Sequence, residues 1–210
     1  MSEPSNAEPS NTEQSSTEPS VPSSLAAGVL RGARVVLRPA TPGDVPALAA
    51  IRRTPEVYQR WRGGEDLAAA VAEDLAEPGS HPLTILYRDR VAGAIQWSEE
   101  TEAEYRHASI DIYLDPTLHG RGLGTDAVRT LARHLIADRG HHRLVIDPAA
   151  DNEPAIRCYT KVGFRPVGVM RRYELGADGS WHDGLLMDLL ADELTPDEPT
   201  AAGPDEPTAA

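Results

Sequence analysis

Residues 110–125 read IDIYLDPTLHGRGLGT, and no other stretch limits so sharply what this chain can fold into. Ile110, Ile112 and Leu114 alternate with Asp111 and Tyr113, the pattern of a half-buried strand. Past a short turn, Ala127, Val128, Leu131, Leu135 and Ile136 fall on one face of a helix. Gly120, Gly122 and Gly124 stand at alternate positions where that helix opens. Glycine lets main chain approach a ligand closely, and the unpaired amides of a helix N-terminus attract an anion along the helix dipole. Arg121 adds a fixed positive charge. The turn reads as a pyrophosphate cradle. It is neither a P-loop, since no Gly-Lys-Ser/Thr follows, nor a dinucleotide fingerprint, since its spacing is G-x-G-x-G far into the chain.

The remaining elements surround this unit. Arg34–Arg38 (RVVLR) predicts a first strand, followed by a loop over Pro39–Gly43. Asp44 stands as N-cap of a helix bearing Val45, Leu48, Ala49 and Ile51, with Pro46 in its first turn. Glu65–Ala76 predicts a second helix, stopped by Pro78-Gly79. Leu83–Tyr87 and Val91–Trp97 form a hairpin turning at Asp89-Arg90. Strand Ala108–Leu114 and helix Thr125–Asp138 come next. Strand Arg143–Asp147 leads to helix Glu153–Val162, which has Pro154 in its first turn and Gly163 as its stop. Strands Phe164–Glu174 and Trp181–Leu189 close the chain around a Gly176–Gly179 turn. The order β-α-α-β-β-β-α-β-α-β-β predicts a mixed α/β sheet in which antiparallel hairpins flank one β-α-β unit, with helices on both faces.

Composition separates tails from domain. Residues 1–28 repeat EPS-like units and residues 192–210 repeat PDEPTAA, and neither can bury enough apolar surface to offset chain entropy. Both are expected to be disordered, leaving 29–191 as one domain. Ten of the 33 acidic residues and no basic ones lie in these tails, so a net charge of −13 falls to −3 for the domain. Acidic repulsion opposes nucleic-acid binding. No apolar run reaches membrane-spanning length, and the N-terminus lacks signal-peptide regions, so a cytoplasmic protein with no membrane partner is expected. Cys158 is the one cysteine, set beside Ile156 and Tyr159 as a small buried hydrophobe. His141-His142 lacks Cys or carboxylate partners at ligand spacing, so no metal is expected.

Two motifs in order resemble the GNAT superfamily of N-acetyltransferases. His119–Gly124 (HGRGLG) is similar to its acetyl-CoA loop, Gln/Arg-x-x-Gly-x-Gly/Ala, with His119 departing from the usual first residue. Asp147–Phe164 (DPAADNEPAIRCYTKVGF) is similar to its second cofactor segment, where Asn opens a helix, Tyr follows and Gly-Phe closes into a strand. The resemblance spans residues 34–190 and implies the GNAT fold, a mixed, mostly antiparallel sheet with a central splayed pair of parallel strands. Within the superfamily the chain looks closest to the aminoglycoside 6′-N-acetyltransferases, at Trp61–Gly64 (WRGG), Gly93–Trp97 (GAIQW), Asp147-Pro148 and Trp181–Leu190 (WHDGLLMDLL). Ser98 replaces the aromatic that this family carries two residues after the Gln.

The resemblance implies acetyl-CoA as donor, no metal, and a set of site residues. His119, Gly120, Arg121, Gly122, Leu123, Gly124 and Thr125 would hold the pyrophosphate. Asn152, Ala155, Tyr159 and the main chain of Tyr113 and Leu114 would hold the pantetheine, and those main-chain groups would polarise the acetyl carbonyl. Tyr159 takes the general-acid position. Asp111 is either the base that deprotonates the amine or an anchor for a cationic acceptor. Trp61, Gln96, Asp111 and Asp147 would bind that acceptor. The loop of Glu99, Glu100, Glu102 and Glu104 either steers a polycation or is merely solvated, and Asp183 either faces the cleft or pairs at the sheet edge. The implied reaction is acetylation of a primary amine on a polycationic small molecule, an aminoglycoside at its 6′-amine, giving antibiotic resistance, by a monomer or homodimer. Two other readings stay open: an N-terminal acetyltransferase of a ribosomal or other protein, and a CoA-binding sensor without turnover.

Overall fold

The computed structural model describes residues 28–61, 63–176 and 178–196. In chain order these form β1 (Leu30–Arg31), β2 (Val36–Pro39), α1 (Val45–Arg52), α2 (Pro55–Tyr58), α3 (Leu67–Ala76), β3 (His81–Tyr87), β4 (Arg90–Glu100) and β5 (His107–Leu114). There follow α4 (Leu123–Ala137), β6 (Arg143–Ile146), α5 (Glu153–Val162), β7 (Arg165–Leu175) and β8 (Trp181–Leu190). One sheet holds the strands in the order β1-β2-β3-β4-β5-β6-β8-β7. All neighbours run antiparallel except β5 and β6, the pair joined by the crossover helix α4.

Strand alternation sends side chains to two cores. Ile95, Trp97, Ile110, Leu144, Ile146, Met187 and Leu189 pack with α4 and α5 in the larger one. Ala94 and Tyr113, on the opposite face, pack with Leu48, Ala49 and Ile51 of α1, Val57 of α2, and Leu67 and Val71 of α3. Asp111 shares the face of Tyr113, two residues away.

The parallel pairing is short. β5 meets β6 only at Ala108–Leu144 and Ser109–Val145. From Ile110 to Leu114 the β6 side of β5 is therefore unpaired among the described residues, which opens a gap in the middle of the sheet. This is the splay expected of a GNAT fold.

Local chemistry shifted several element ends. β2 starts at Val36 rather than Arg34, because the amides of Ala33, Arg34 and Val35 donate to the buried carboxylate of Asp126 at 2.7–3.0 Å. Asp44 is the N-cap residue of α1 as expected, but its side chain makes no capping bond. Its carboxylate instead receives the Arg38 guanidinium at 2.6 and 2.7 Å, with Thr41 and Thr84, and Arg38 holds its pKa far below the usual carboxylate range. α3 begins at Leu67, where Asp66 accepts from the amides of Ala68 and Ala69. The short elements β1 and α2 were not expected.

Order also continues past residue 191, where the domain was expected to end. Leu194 packs against the larger core, Glu193 pairs with Arg165 at 2.9 Å, and Thr195 bonds to the carbonyls of Lys161 and Val162. The disorder expected of the tails now concerns residues 1–27 and 197–210, which lie outside the described residues. A chain trimmed to 28–196 is expected to keep its melting temperature and turnover. Ending it at Glu193 removes Thr195 and Leu194, at a cost of about 2 kcal/mol, which lowers Tm by roughly 4–8 °C for a domain of this size. Equal melting curves for the two trimmed chains would refute the docking of this segment.

Candidate active site

The glycine turn is built by two of its three glycines. Gly120 and Gly122 have φ of 74° and 75°, the left-handed region that favours glycine, and a Cβ added to either meets nothing within 4 Å. That open space lies before α4, whose N-cap is Gly122 and whose first amides receive no side-chain cap. Free amides at the positive end of a 15-residue helix suit an anion, and the cradle fits a pyrophosphate. Gly124 does something else: it lies inside α4, which starts at Leu123 and not at Thr125. Its added Cβ would sit 3.3 Å from Leu114 Cδ1 and 3.4 Å from Cys158 Sγ. Glycine there lets α4 pack closely on β5 and α5.

Neighbouring residues brace the turn. Leu123 is buried in the larger core, so only its main chain can serve a ligand. Thr125 Oγ1 lies 3.3 Å from the Cys158 thiol, whose pKa burial pushes up, as befits a packing cysteine. His119 and Arg121 are exposed, and the His119 amide ends a 3-10 turn by donating to Pro116. Arg34 Nη1 donates to the Arg121 carbonyl at 3.1 Å, and Asp126 fixes the Arg34 main chain from below. Sequence reasoning missed this brace. Its one signal is an Asp on the apolar face of a helix, where a carboxylate needs partners.

The open edge of β5 lies beside the turn. Tyr113 and Leu114 turn their side chains into the two cores, so they offer the gap their main chain alone. Asn152 caps α5, its side-chain oxygen accepting from Ala155 N at 3.3 Å, which leaves its amide nitrogen for a ligand. Ala155, on the first turn of α5, packs against the larger core.

The residues expected to bind an acceptor lie on the Asp111 side of the sheet. Gln96 and Asp111 are register partners across β4 and β5, and the Gln96 side chain hydrogen-bonds the Asp111 carboxylate. Trp61 stands edge-on to Tyr113, 4.8 Å between centroids at 66°. The buried Arg52 lies 6.0 Å from the Trp61 ring and pairs with Asp74 at 2.5 Å, so the indole rests on a fixed base. Asp147 follows β6 and accepts from the Tyr173 hydroxyl. Arg60, just before Trp61, pairs with Asp151 in the loop ahead of α5 at 2.6 Å, tying the two rims together.

Charge sets the proton chemistry. Asp111 keeps solvent access, yet the protein around it pushes its pKa up to about 6. Asp147 and Glu174 add like charge in the same direction, and the Gln96 hydrogen bond opposes them. Tyr159 is 7% exposed. Burial, then the neighbouring Cys158, Asp111 and Asp147, raise its pKa, so the phenol keeps its proton. A carboxyl that ionises near neutrality thus acts electrostatically on a phenol that keeps its proton.

Other expected residues lie elsewhere. Glu99 pairs with Arg139 at 3.3 Å and His141 at 3.0 Å, at the end of β4 away from the glycine turn. The loop it begins is therefore not a wall of the cleft. His141 is buried beside Trp97, and burial lowers its pKa. Among the described residues Asp183 makes no sheet-edge salt bridge; it accepts from the amide of Arg172 at 2.7 Å.

The chain resembles known proteins in sequence and fold. The chain is 32% identical over 120 residues to the mycothiol acetyltransferase of Arthrobacter sp. (strain FB24), covering 55% of this chain and 36% of that protein. It is 31% identical over 130 residues to the aminoglycoside N(6′)-acetyltransferase type 1 of Klebsiella pneumoniae, covering 52% and 64%. The chain thus spans less than two thirds of either relative. The solved structure of AAC(6′)-Ib in complex with paromomycin and acetyl-CoA superposes with a TM-score of 0.65 at 27% identity, over 79% of this chain and 99% of that one. Residues 34–165, from the strand beneath the glycine turn through α5, match the acetyltransferase (GNAT) domain, and the chain belongs to that family.

Proposed function

We propose that this protein is an acetyl-CoA-dependent N-acetyltransferase whose acceptor is a primary amine of a polycationic small molecule, the 6′-amine of an aminoglycoside. One observation carries the reading: the edge of β5 that bears Asp111 is unpaired from Ile110 to Leu114 and leads into the glycine-opened, uncapped start of α4, an anion cradle. Main-chain amides from Gly120 to Thr125, with Arg121, hold the donor's pyrophosphate. The free edge of β5 receives the pantetheine arm, and main chain at Tyr113 and Leu114 polarises the thioester carbonyl. Asp111, ionised above pH about 6, removes a proton from the acceptor ammonium. The amine nitrogen forms a bond to the acetyl carbon, the carbon–sulfur bond breaks, Tyr159 donates its proton to the departing thiolate, and the surplus proton leaving the acylated nitrogen restores the phenol. Trp61, Gln96 and Asp147 hold the rest of the acceptor, as an indole face and carboxylates suit a cationic sugar.

The aminoglycoside N(6′)-acetyltransferase among its relatives supports an aminoglycoside acceptor. The test is CoA thiol release across a panel of aminoglycosides, polyamines and peptides with free N-termini. Aminoglycosides with a 6′-amine should give the highest kcat/KM, and those with a 6′-hydroxyl should give far less. Preference for a peptide would replace this reading with N-terminal acetylation. Tight acetyl-CoA binding with no release above background would leave a sensor.

A further inference from the structure

β7 is an edge strand, and it is irregular where it nears the cleft. Its register with β8 shifts between Met170 and Glu174, and Arg172 sits at φ 52°, a left-handed conformation that side chains disfavour. Asp183 holds this bulge by accepting from the Arg172 amide at 2.7 Å. Bulges bend a strand and re-aim its side chains, often beside active sites.

The re-aimed residues are Tyr173 and Glu174. Gly184 lies opposite Met170 on β8, and an added Cβ there would sit 2.8 Å from Tyr173 Cδ1, so the tyrosine ring lies over a place where β8 has no side chain. Gly184 alternates with Met187 and Leu189, which point to the larger core, so it faces the Asp111 side of the sheet. From there the Tyr173 hydroxyl reaches over β8 and donates to Asp147. The ring itself stays half exposed, at 50%.

We propose that this bulge is the specificity element of the acceptor cleft: Tyr173 and Glu174, with Asp147, hold a second cationic group while the first amine is placed at Asp111. The inference rests on Asp111 as the point of attack, argued under Proposed function. Glu174 lies near enough to raise the proton affinity of Asp111, and the bond to Asp147 lifts the Tyr173 phenol to a pKa of about 12, so it remains a donor. The same Asp111 and Asp147 charges help to raise the pKa of the Tyr159 phenol, so the three groups influence one another electrostatically. A carboxylate and an aromatic edge on one side, with the Trp61 face and Gln96 on the other, suit an acceptor with two separated ammonium groups. Asp183 then acts as a positioning residue through the Arg172 amide.

The test measures binding by calorimetry in the presence of CoA, so it does not depend on turnover. The two probes are kanamycin and a 6-amino-6-deoxy monosaccharide carrying a single amine. Wild-type protein should favour kanamycin by roughly a hundredfold or more, about 1.4 kcal/mol for each tenfold. Glu174→Gln should weaken kanamycin binding roughly tenfold and narrow the gap between the two ligands. Tyr173→Phe should move it the same way by less. Asp183→Ala, which removes the acceptor of the Arg172 amide, should do so with unchanged acetyl-CoA affinity, a split that general destabilisation does not give. An unchanged gap in Glu174→Gln, or a wild type that binds both probes alike, overturns the proposal. Glu174-dependent binding of kanamycin without acetyl transfer upholds it and removes the reaction proposed above.

Discussion

Asp111→Asn is expected to lower kcat by roughly 10²–10⁴-fold, the span of a positioned general base. The asparagine keeps the shape and can still meet Gln96, but it takes no proton from the acceptor. Wild-type activity should rise with pH through about 6, as the Asp111 carboxyl ionises. The variant should lose that limb and recover in part at high pH, where free amine is available. An anchor would behave otherwise, with raised acceptor KM and kcat near wild type. Stability should move in the opposite direction to activity. The folded pKa of Asp111 is raised from the model-peptide value of 3.8, so folding disfavours its charged form. That penalty is absent at pH below 3.8, grows between there and about 6, and is full above. Asp111→Asn should therefore melt at or above the wild-type temperature at pH 7.5, with the gain fading as pH falls toward 4. A lower Tm at pH 7.5 would show that the carboxylate serves the fold.

Gly122→Val should raise the acetyl-CoA dissociation constant by at least tenfold. A β-branched residue is strained at φ 75°, and its side chain would occupy the space before the first amides of α4. Gly120→Val acts on the same open space and should follow. Gly124→Val should differ in kind, because a side chain there meets Leu114 and Cys158. It should lower Tm through overpacking as well as weaken donor binding. Calorimetric titration of acetyl-CoA beside melting curves separates the two effects. Unchanged affinity in a folded Gly122→Val protein removes the cradle.

The strand, turn and helix around Ile110–Thr125 were readable in advance because strong local signals agree there: alternation, then glycines, then helical spacing. The β-α-β order and the parallel pair followed from the same logic. Less local facts were not readable. That Gln96 pairs with Asp111 depends on the β4–β5 register, which the loop between them sets without any residue pattern announcing it. Asp44 has the residue type of a helix cap, yet the nearby Arg38 offered its carboxylate a stronger charged partner. Tyr173 and Glu174 were hidden because a bulge breaks the alternation from which strand faces are read. Leu194 and Thr195 sit in a stretch that composition assigns to a tail, and only their docking on α5 and the core shows otherwise.

The most direct test of the account is identification of the product. Kanamycin incubated at pH 7.5 with acetyl-CoA and the protein is analysed by mass spectrometry and two-dimensional NMR. The account predicts one added acetyl group, on the 6′-nitrogen, formed in step with CoA release by the wild type and nearly lost in Asp111→Asn. Acetylation at an oxygen or at a different ring amine, or CoA release with no acetylated kanamycin, would contradict it.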